Sequence, residues 1–577
     1  MRKAVPFFVI LLVTTAVYYC VWSGGFLRDD FPVITENPWI TSPGYIPDIF
    51  TSSLWSFYKG DFITGTSNYY RPVMHLLLMG SYSLFGTDPA GYHAVNLAFH
   101  ILNAFLVFLT ASALLGSKEK NDINRPLLLP LAAALLFALH PANAEPVVWV
   151  AAIGELSFTF FFMAAFYLFI LSGLGRGAVF YALSICVYGV ALFSKETATV
   201  LAPLFALYGI AEGRPLIQAV KRGAPYLAAA IVFVLIRSAI VGALSAEHAM
   251  SGFQYILSVL TLTAQYAEKL IFPFGIKLYY PFHPPTSFSD IVSHELAVLF
   301  LLVAGLAFWI WKSSSRRTIV FFLLWIMMSL SPAILMVKYI QGEWVFASRY
   351  LYFSTAGFSI LAAIALNRLA SIRPVKAATI IPVLLVLVPF AFESARVSRF
   401  WTDEFSFWQK AVVDAPSSPT THASLGVAYA QKKMYGEAIR EYEATIKIAP
   451  DSAGVYSNLG VAYYNLNETG KAVLMFEKAL SFAKDESSGA SLNARVGIIY
   501  LEKDLPEKAA FHLEKAVSAG MNDSNLYNFL GIAFARLGRS DKAYAAFSEA
   551  LRIDPQNGHA RQNLKKLNEG GAGAGGN

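Results

Sequence analysis

Residues able to do chemistry are gathered in a few short polar stretches between long apolar runs. The first stretch, SGGFLRDDFPVITENPWI, sets Asp29 and Asp30 side by side a few residues beyond an apolar N-terminal segment. Two neighbouring carboxylates at a membrane surface can supply a general base for an attacking hydroxyl, the second carboxylate orienting the first or sharing its proton. A solvated pair in a loop has the same spacing, so the residues alone leave both readings open. Further on, NYYRPVMHLLL carries Arg71 among aromatic residues. A guanidinium at an apolar boundary suits a lipid phosphate, because its planar fork gives paired hydrogen bonds. It equally suits a snorkelling side chain in an aromatic belt.

The next stretches add more ionisable groups. His93, Asn96 and His100 fall on one helix face at spacings of three and four, where hydrogen bonding between helices ranks well above metal binding. In FALHPANAEPVVWVAAIGELSF, His140, Glu145 and Glu155 flank a Pro-broken turn. Ionisable groups held at a membrane boundary are candidates for function because burying them is costly. The backbone at a helix start can also satisfy Glu155. The turn FSKET sets Lys195 beside Glu196, which alone reads as a local ion pair, and ASRYLYFSTAGF sets Arg349 at the head of a late apolar run.

The elements that must position these groups are membrane helices. With 56% hydrophobic and only 14% charged residues in 577, and a mean hydropathy of +0.50, the chain is too apolar for an ordinary soluble protein. Apolar runs compatible with spans occupy 4–22, 93–115, 127–139, 156–171, 178–193, 198–211, 224–241, 295–311, 318–337, 350–366 and 377–392, about eleven in all. The basic start and long first run favour an uncleaved span over a signal peptide. Two further stretches, 72–85 and 253–272, are short or carry charge (Glu268, Lys269) and read as surface-lying or re-entrant helices. With neither crossing, the loops 118–125, 173–177, 212–222, 312–317 and 367–376 are all basic and cytoplasmic by the positive-inside rule. The carboxylates and candidate cations then lie on the other, non-cytoplasmic face. The net charge of +7 is a matter of topology rather than of nucleic acid, since the Lys and Arg residues form no stripe with interleaved aromatics. Cys20 and Cys186 sit in separate apolar runs and build neither a disulfide framework nor a zinc site.

After about residue 400 the pattern changes. Leu425–Gly426 recurs as Leu459–Gly460, Val496–Gly497 and Leu530–Gly531, at intervals of 34, 37 and 34, and Ala438, Ala472, Ala509 and Ala543 keep the same intervals. This is the signature of tetratricopeptide repeats, helix pairs stacked into a superhelix with a concave face. The longer interval matches the polar insertion DESSG at 485–489, and FWQKAVVDAP at 407–416 resembles the closing half of a preceding unit.

In order along the chain, RDDFPVITENP, YYRPV, FGTDPAGYHAVNLAFH, FALHPANAEPVVW, LFSKET and SRYLYFSTAGF, followed by repeats, resemble the tetratricopeptide-repeat-containing transmembrane O-mannosyltransferases of the broad GT-C class. The resemblance implies a GT-C-type membrane domain over 1–400, a linker and partial repeat helix over 401–417, a repeat domain over 418–568 and a flexible Gly-rich tail over 569–577. The fold expected is all-α. It implies a sugar arriving on a polyprenyl monophosphate, with mannose as the family's sugar. Asp29 and Asp30 become the catalytic pair, Arg71, Lys195 and Arg349 the donor phosphate ligands, and His140, Glu145, Glu155 and His93 the acceptor or substrate pocket. The lipid-linked sugar is a substrate, so no cofactor is implied and no metal is indicated. The partners expected are the bilayer, the donor lipid and an acceptor protein presented by the repeats, with no nucleic acid. Two other classes compete. A membrane-anchored scaffold for an envelope complex makes the acid pair dispensable, and a transporter needs ionisable residues in mid-span, whereas most charges here lie at span ends.

Overall fold

The computed structural model describes residues 4–58, 69–115, 127–242, 250–287, short stretches between 301 and 313, 316–339, 345–372, 377–483 and 486–572. Among these residues the chain is predominantly helical, with no strand. It divides into two compact units, Met1–Lys410 and Ala411–Asn577. The division falls within the stretch expected as a linker, later than the expected boundary at residue 400.

The first unit is a multi-pass membrane domain. Six described helices are long and apolar enough to cross a bilayer: Pro89–Leu115, Val150–Leu174, Gly177–Ser194, Leu216–Val241, Arg316–Tyr339 and Ser348–Leu366. A seventh span arises if Leu128–Ala138 and Pro141–Val148, bent by 51° at the intervening His140–Pro141 break, cross together. Ala4–Val17, Pro72–Phe85 and Glu196–Ala211 are apolar but shorter. The stretch expected as a surface or re-entrant helix at 253–272 is the helix Gly252–Ile271, opened by a capping box between Ser251 and Gln254. The loop at 118–125 and most of the run 295–311 lie outside the described residues.

The helices Ile153–Leu171 and Gly177–Ser194 form an antiparallel hairpin. Gly177 takes a φ of +79° at the turn, a conformation that costs a residue with a Cβ about 1 kcal/mol or more. Aromatic side chains fill the space between this hairpin and its neighbours. Phe205 stacks on Tyr226 with centroids 3.6 Å apart, and Trp325, fully buried, stacks on Phe353 at 4.8 Å. Such pairs add roughly 0.5–1.5 kcal/mol beyond burial and fix helix register. Several polar side chains inside the bundle join helices through hydrogen bonds, which offset the cost of burying them. Asn96 Nδ2 donates to Trp149 O at 2.9 Å, Asn103 Nδ2 to Leu156 O at 3.0 Å, and His100 bridges Tyr352 Oη and Ala138 O at 2.8 and 3.0 Å. The face carrying His93, Asn96 and His100 thus joins helices together.

The second unit contains four described helix pairs: Pro419–Gln431 with Tyr435–Ile448, Ala453–Asn465 with Thr469–Ser481, Glu486–Glu502 with Pro506–Ser518, and Ser524–Arg536 with Ser540–Ile553. The helix Gly558–Ala572 follows and enters the stretch expected to be a flexible tail; 573–577 lie outside the described residues. The Gly ladder has a direct steric cause. A Cβ on Gly426, Gly460, Gly497 or Gly531 would lie 2.5–2.7 Å from Tyr442, Phe476, Leu513 or Phe547 on the second helix of the same pair. Ala438, Ala472, Ala509 and Ala543 are all fully buried, so nothing larger fits at those positions either. The polar insertion is absorbed by a longer first helix in the third pair, 17 residues against 13 in the other three.

Candidate functional site

In the first unit, a cavity of about 160 Å³ is lined by Asp29, Arg71, Glu155, Lys195 and Arg349 together with Trp55, Tyr69, Trp149 and Tyr350. Five residues singled out in five separate polar stretches therefore meet in one place. The elements explain the meeting. Glu155 stands at the start of the helix Ile153–Leu171 and Lys195 directly follows its hairpin partner Gly177–Ser194, so the hairpin brings both to its open end. Arg71 caps the start of the helix Pro72–Phe85, and Arg349 lies in the short turn Ser348–Leu351 before a long span.

Each of the three cations is held by a carboxylate. Lys195 Nζ pairs with Glu155 Oε1. Arg71 Nε donates to Glu196 Oε2 at 2.9 Å, while the other oxygen of Glu196 accepts from Tyr70 N–H at 2.7 Å. Arg349 donates through its guanidinium to Glu145 Oε1 at 2.6 Å and through its backbone N–H to Glu145 Oε2 at 3.0 Å. The local Lys195–Glu196 pair read from the sequence is replaced by two long-range pairs. Lys195 is extended (φ −161°, ψ 139°), and extended neighbours send their side chains in different directions. Aromatic faces complete the cationic lining: Tyr69 lies 4.5 Å from Arg71, Tyr350 lies 5.2 Å from Lys195 and 4.9 Å from Arg349, and Trp149 lies 5.3 Å from Arg349.

The acid pair separates. Asp29 lines the cavity, whereas Asp30 is absent from the lining and fully buried. Asp30 Oδ2 accepts from Leu27 N–H at 2.9 Å and Oδ1 from Ala151 N–H at 2.6 Å, so its carboxyl staples the first loop to the 149–152 turn. Burial pushes its pKa up to about 8, against the opposite pull of those two amide donors. Arg28, with a left-handed φ of +50°, lies over Trp149, Phe407 and Trp408 at 5.4, 5.6 and 5.8 Å, and burial pushes its pKa down while the Asp29 charge opposes that shift. Gly25 N–H donates to Thr402 O at 2.8 Å, which ties the loop to the segment after the last helix of the membrane domain.

Three residues expected in the pocket lie elsewhere. His140 is buried and bonds backbone on both sides: Nε2 meets Leu270 O at 3.0 Å and Nδ1 accepts from Ala142 N–H at 3.3 Å. One nitrogen shapes the bent helix and the other ties it to the helix Gly252–Ile271, and the ring does not line the cavity. His93 packs under Gly24 and reaches Gly25 O at 3.3 Å, supporting the loop from below. Glu145 backs the cavity through Arg349 without lining it. Sequence reasoning missed Tyr69, Tyr350 and Trp149 as walls and Glu196 as a tether. The signal available was adjacency, since Tyr69 and Tyr350 stand within two residues of the cations they cover.

Residues 428–467 match the family model described as TPR repeat, and 453–486 and 524–557 match models described as Tetratricopeptide repeat. The C-terminal unit is a tetratricopeptide-repeat domain. Over a longer stretch the chain resembles proteins named protein O-mannosyl-transferase. One from Caenorhabditis elegans is 22% identical over 463 residues, covering 76% of this chain and 62% of the relative. One from Drosophila melanogaster is 30% identical over 182 residues, covering 32% of this chain and 20% of the relative. The human protein O-mannosyl-transferase TMTC3 is 27% identical over 207 residues, covering 35% of this chain and 21% of its own length. The chain thus spans less than two thirds of each of these relatives. Among solved structures, the crystal structure of YrrB, a TPR protein with an unusual peptide-binding site, aligns with a TM-score of 0.27 and 20% identity over 29% of this chain and 85% of that one.

Proposed function

We propose that this protein is a membrane glycosyltransferase that moves a sugar from a polyprenyl-phosphate carrier to a protein or glycan hydroxyl, with mannose the sugar suggested by the relatives' names. The observation that carries the reading is the single cavity shared by Asp29 and the cations Arg71, Lys195 and Arg349. In the reaction, the acceptor hydroxyl oxygen forms a bond to the anomeric carbon while the bond from that carbon to the phosphate oxygen breaks. The acceptor proton passes to Asp29 and the bonding pair leaves with the phosphate. One displacement inverts the anomeric centre. The cations stabilise charge developing on the leaving phosphate in a site walled by aromatic rings. Asp30 acts differently, holding the backbone that presents Asp29.

We assign the cavity and the repeats to the non-cytoplasmic side. The hairpin turn with Arg176 and the stretch 212–222 with Arg214, Lys221 and Arg222 stand at the far ends of the helices that lead to the cavity, which agrees with the positive-inside rule. The repeats then present the acceptor protein, the role such domains take as binding scaffolds.

The test is transfer by the purified full chain in nanodiscs, with polyprenyl-phosphate mannose and peptide acceptors. Asp29→Asn is expected to lower turnover by about a hundredfold or more, the usual worth of a general base, while donor binding persists. Undiminished transfer by that variant would remove Asp29 from the reaction, and absence of transfer by the wild type would leave the scaffold reading as the better one.

A further inference from the structure

The hairpin Ile153–Leu171 and Gly177–Ser194 starts and finishes at the cavity, so its turn lies at the opposite end, about 28 Å away at 1.5 Å per residue. That distance is close to the thickness of the hydrocarbon core, which sets the turn at the other membrane face. Three arginines from three separate segments converge there. Arg222, from the helix Leu216–Val241, donates from NH2 to Ser172 Oγ at 2.7 Å, and its guanidinium lies 5.1 Å from Phe169 and 5.2 Å from Tyr181. Arg214 reaches over the same turn, since a Cβ on Gly173 would meet its NH2 at 3.1 Å. Arg317, from the start of the helix Arg316–Leu335, sits over the neighbouring turn, where a Cβ on Gly213 would meet its NH1 at 3.2 Å.

The charge here is one-sided. Glu212 is the carboxylate paired with the cluster among the described residues, 3.9 Å from Arg214 NH2, and one of its oxygens accepts from Tyr208 Oη at 2.8 Å. The Nε of Arg222 is buried with no hydrogen-bond partner among the described residues. Beside the arginines stand exposed apolar side chains, Leu174 at 60%, Leu216 at 64% and Ile217 at 69% exposure. Guanidinium groups next to exposed aliphatic surface at a membrane face match a molecule with a phosphate at one end and acyl chains at the other.

We propose that Arg214, Arg222 and Arg317 form a binding site for the headgroup phosphate of an anionic phospholipid, in the leaflet opposite the cavity. The site rests on the geometry of the membrane unit and stands whether or not the cavity transfers sugar. The aliphatic rim commits it to a lipid rather than to free phosphate.

Native mass spectrometry of the full chain released from nanodiscs of equal phosphatidylglycerol and phosphatidylcholine tests it. Wild type should keep phosphatidylglycerol preferentially, and R214Q/R317Q should keep it roughly thirtyfold less, as expected for two arginines at a membrane surface. Equal retention of the two lipids by wild type, or unchanged retention by a folded R214Q/R317Q, would overturn the site. Excess inorganic phosphate should not displace the lipid; displacement would assign the arginines to a free anion instead. Should the variant not fold, ionic strength decides with wild type alone: salt must weaken phosphatidylglycerol retention and leave phosphatidylcholine unchanged, and a salt-insensitive preference refutes the proposal.

Discussion

Arg71 and Glu196, 125 residues apart in the chain, are joined by a 2.9 Å contact from Nε to Oε2. The same carboxylate holds the backbone N–H of Tyr70, so it fixes both the side chain and the main chain of the segment that lines the cavity. Its sequence neighbour Lys195 turns to Glu155 instead. Two consecutive residues, an extended Lys195 and the Glu196 that opens the next short helix, therefore tie together the hairpin and the helix start at Pro72.

Replacing Glu196 with Gln removes a charge from a partly buried pair whose side chains are 18% and 23% exposed. Because solvent screens part of the interaction, the expected loss is about 1–2 kcal/mol. Thermal unfolding in detergent measures it, and Arg71→Met combined with Glu196→Gln should cost less than the sum of the two single changes. Additive losses would show that the pair contributes no coupling.

Asp30 makes stability depend on pH. Its folded pKa of about 8 lies above the ordinary carboxylate value, so the folded protein binds the proton more tightly than the unfolded chain does. Stability from this group is full below about pH 4 and declines as pH rises towards about 8, the range between the two pKa values. Thermal midpoints from pH 5 to pH 8.5 should fall for wild type and fall less for Asp30→Asn. The variant also has a lower midpoint at pH 5, because its amide cannot accept both Leu27 and Ala151 N–H groups equally well. Parallel pH profiles for the two proteins would exclude this source.

In the repeat domain, Gly531→Ala forces a Cβ to within 2.5 Å of the Phe547 ring, an overpacking that costs about 1–3 kcal/mol. Gly454→Ala, in the helix Ala453–Asn465 with open space around its Cβ position, should instead stabilise by roughly 0.4–1 kcal/mol. Proteolytic susceptibility of the repeats in the full chain reads both changes, and equal responses would contradict the steric account of the glycine ladder.

Arg349→Lys keeps a cation beside Glu145 but loses the planar face that lies against Trp149 and Tyr350 at 5.3 and 4.9 Å. Under the proposed reaction, donor affinity should fall by about tenfold, read as a rise in KM for the lipid-linked sugar. A fall confined to kcat would show that Arg349 acts on the transition state alone.

The repeats were legible because their constraint is steric and periodic: Gly and Ala recur wherever two helices touch, and that pattern survives in a single sequence. The polar stretches named the cavity residues Asp29, Arg71, Glu155, Lys195 and Arg349, since ionisable groups at span ends are few. Partner choice was not legible. Whether Lys195 pairs with Glu196 or Glu155 depends on one extended backbone conformation and on which helix ends converge, and neither is written in local spacing. Nor could adjacency separate Asp29 from Asp30, because the difference lies in the amides of Leu27 and Ala151 that surround only the second. His140 and His93 looked chemically able, but the bent helix and the first loop use them as hydrogen-bonding struts.

The ion pair between Glu155 and Lys195 closes a helical hairpin at its mouth, and that makes the distant turn an unusual kind of linker. Most surface turns absorb an extra residue harmlessly. Here one inserted residue between Ser172 and Arg176 would slide or rotate one helix against the other by about 100° or 1.5 Å, and the misalignment would emerge on the far side of the membrane, where the two charges are clasped. The length of that turn therefore acts as a gauge for the cavity, set from across the bilayer.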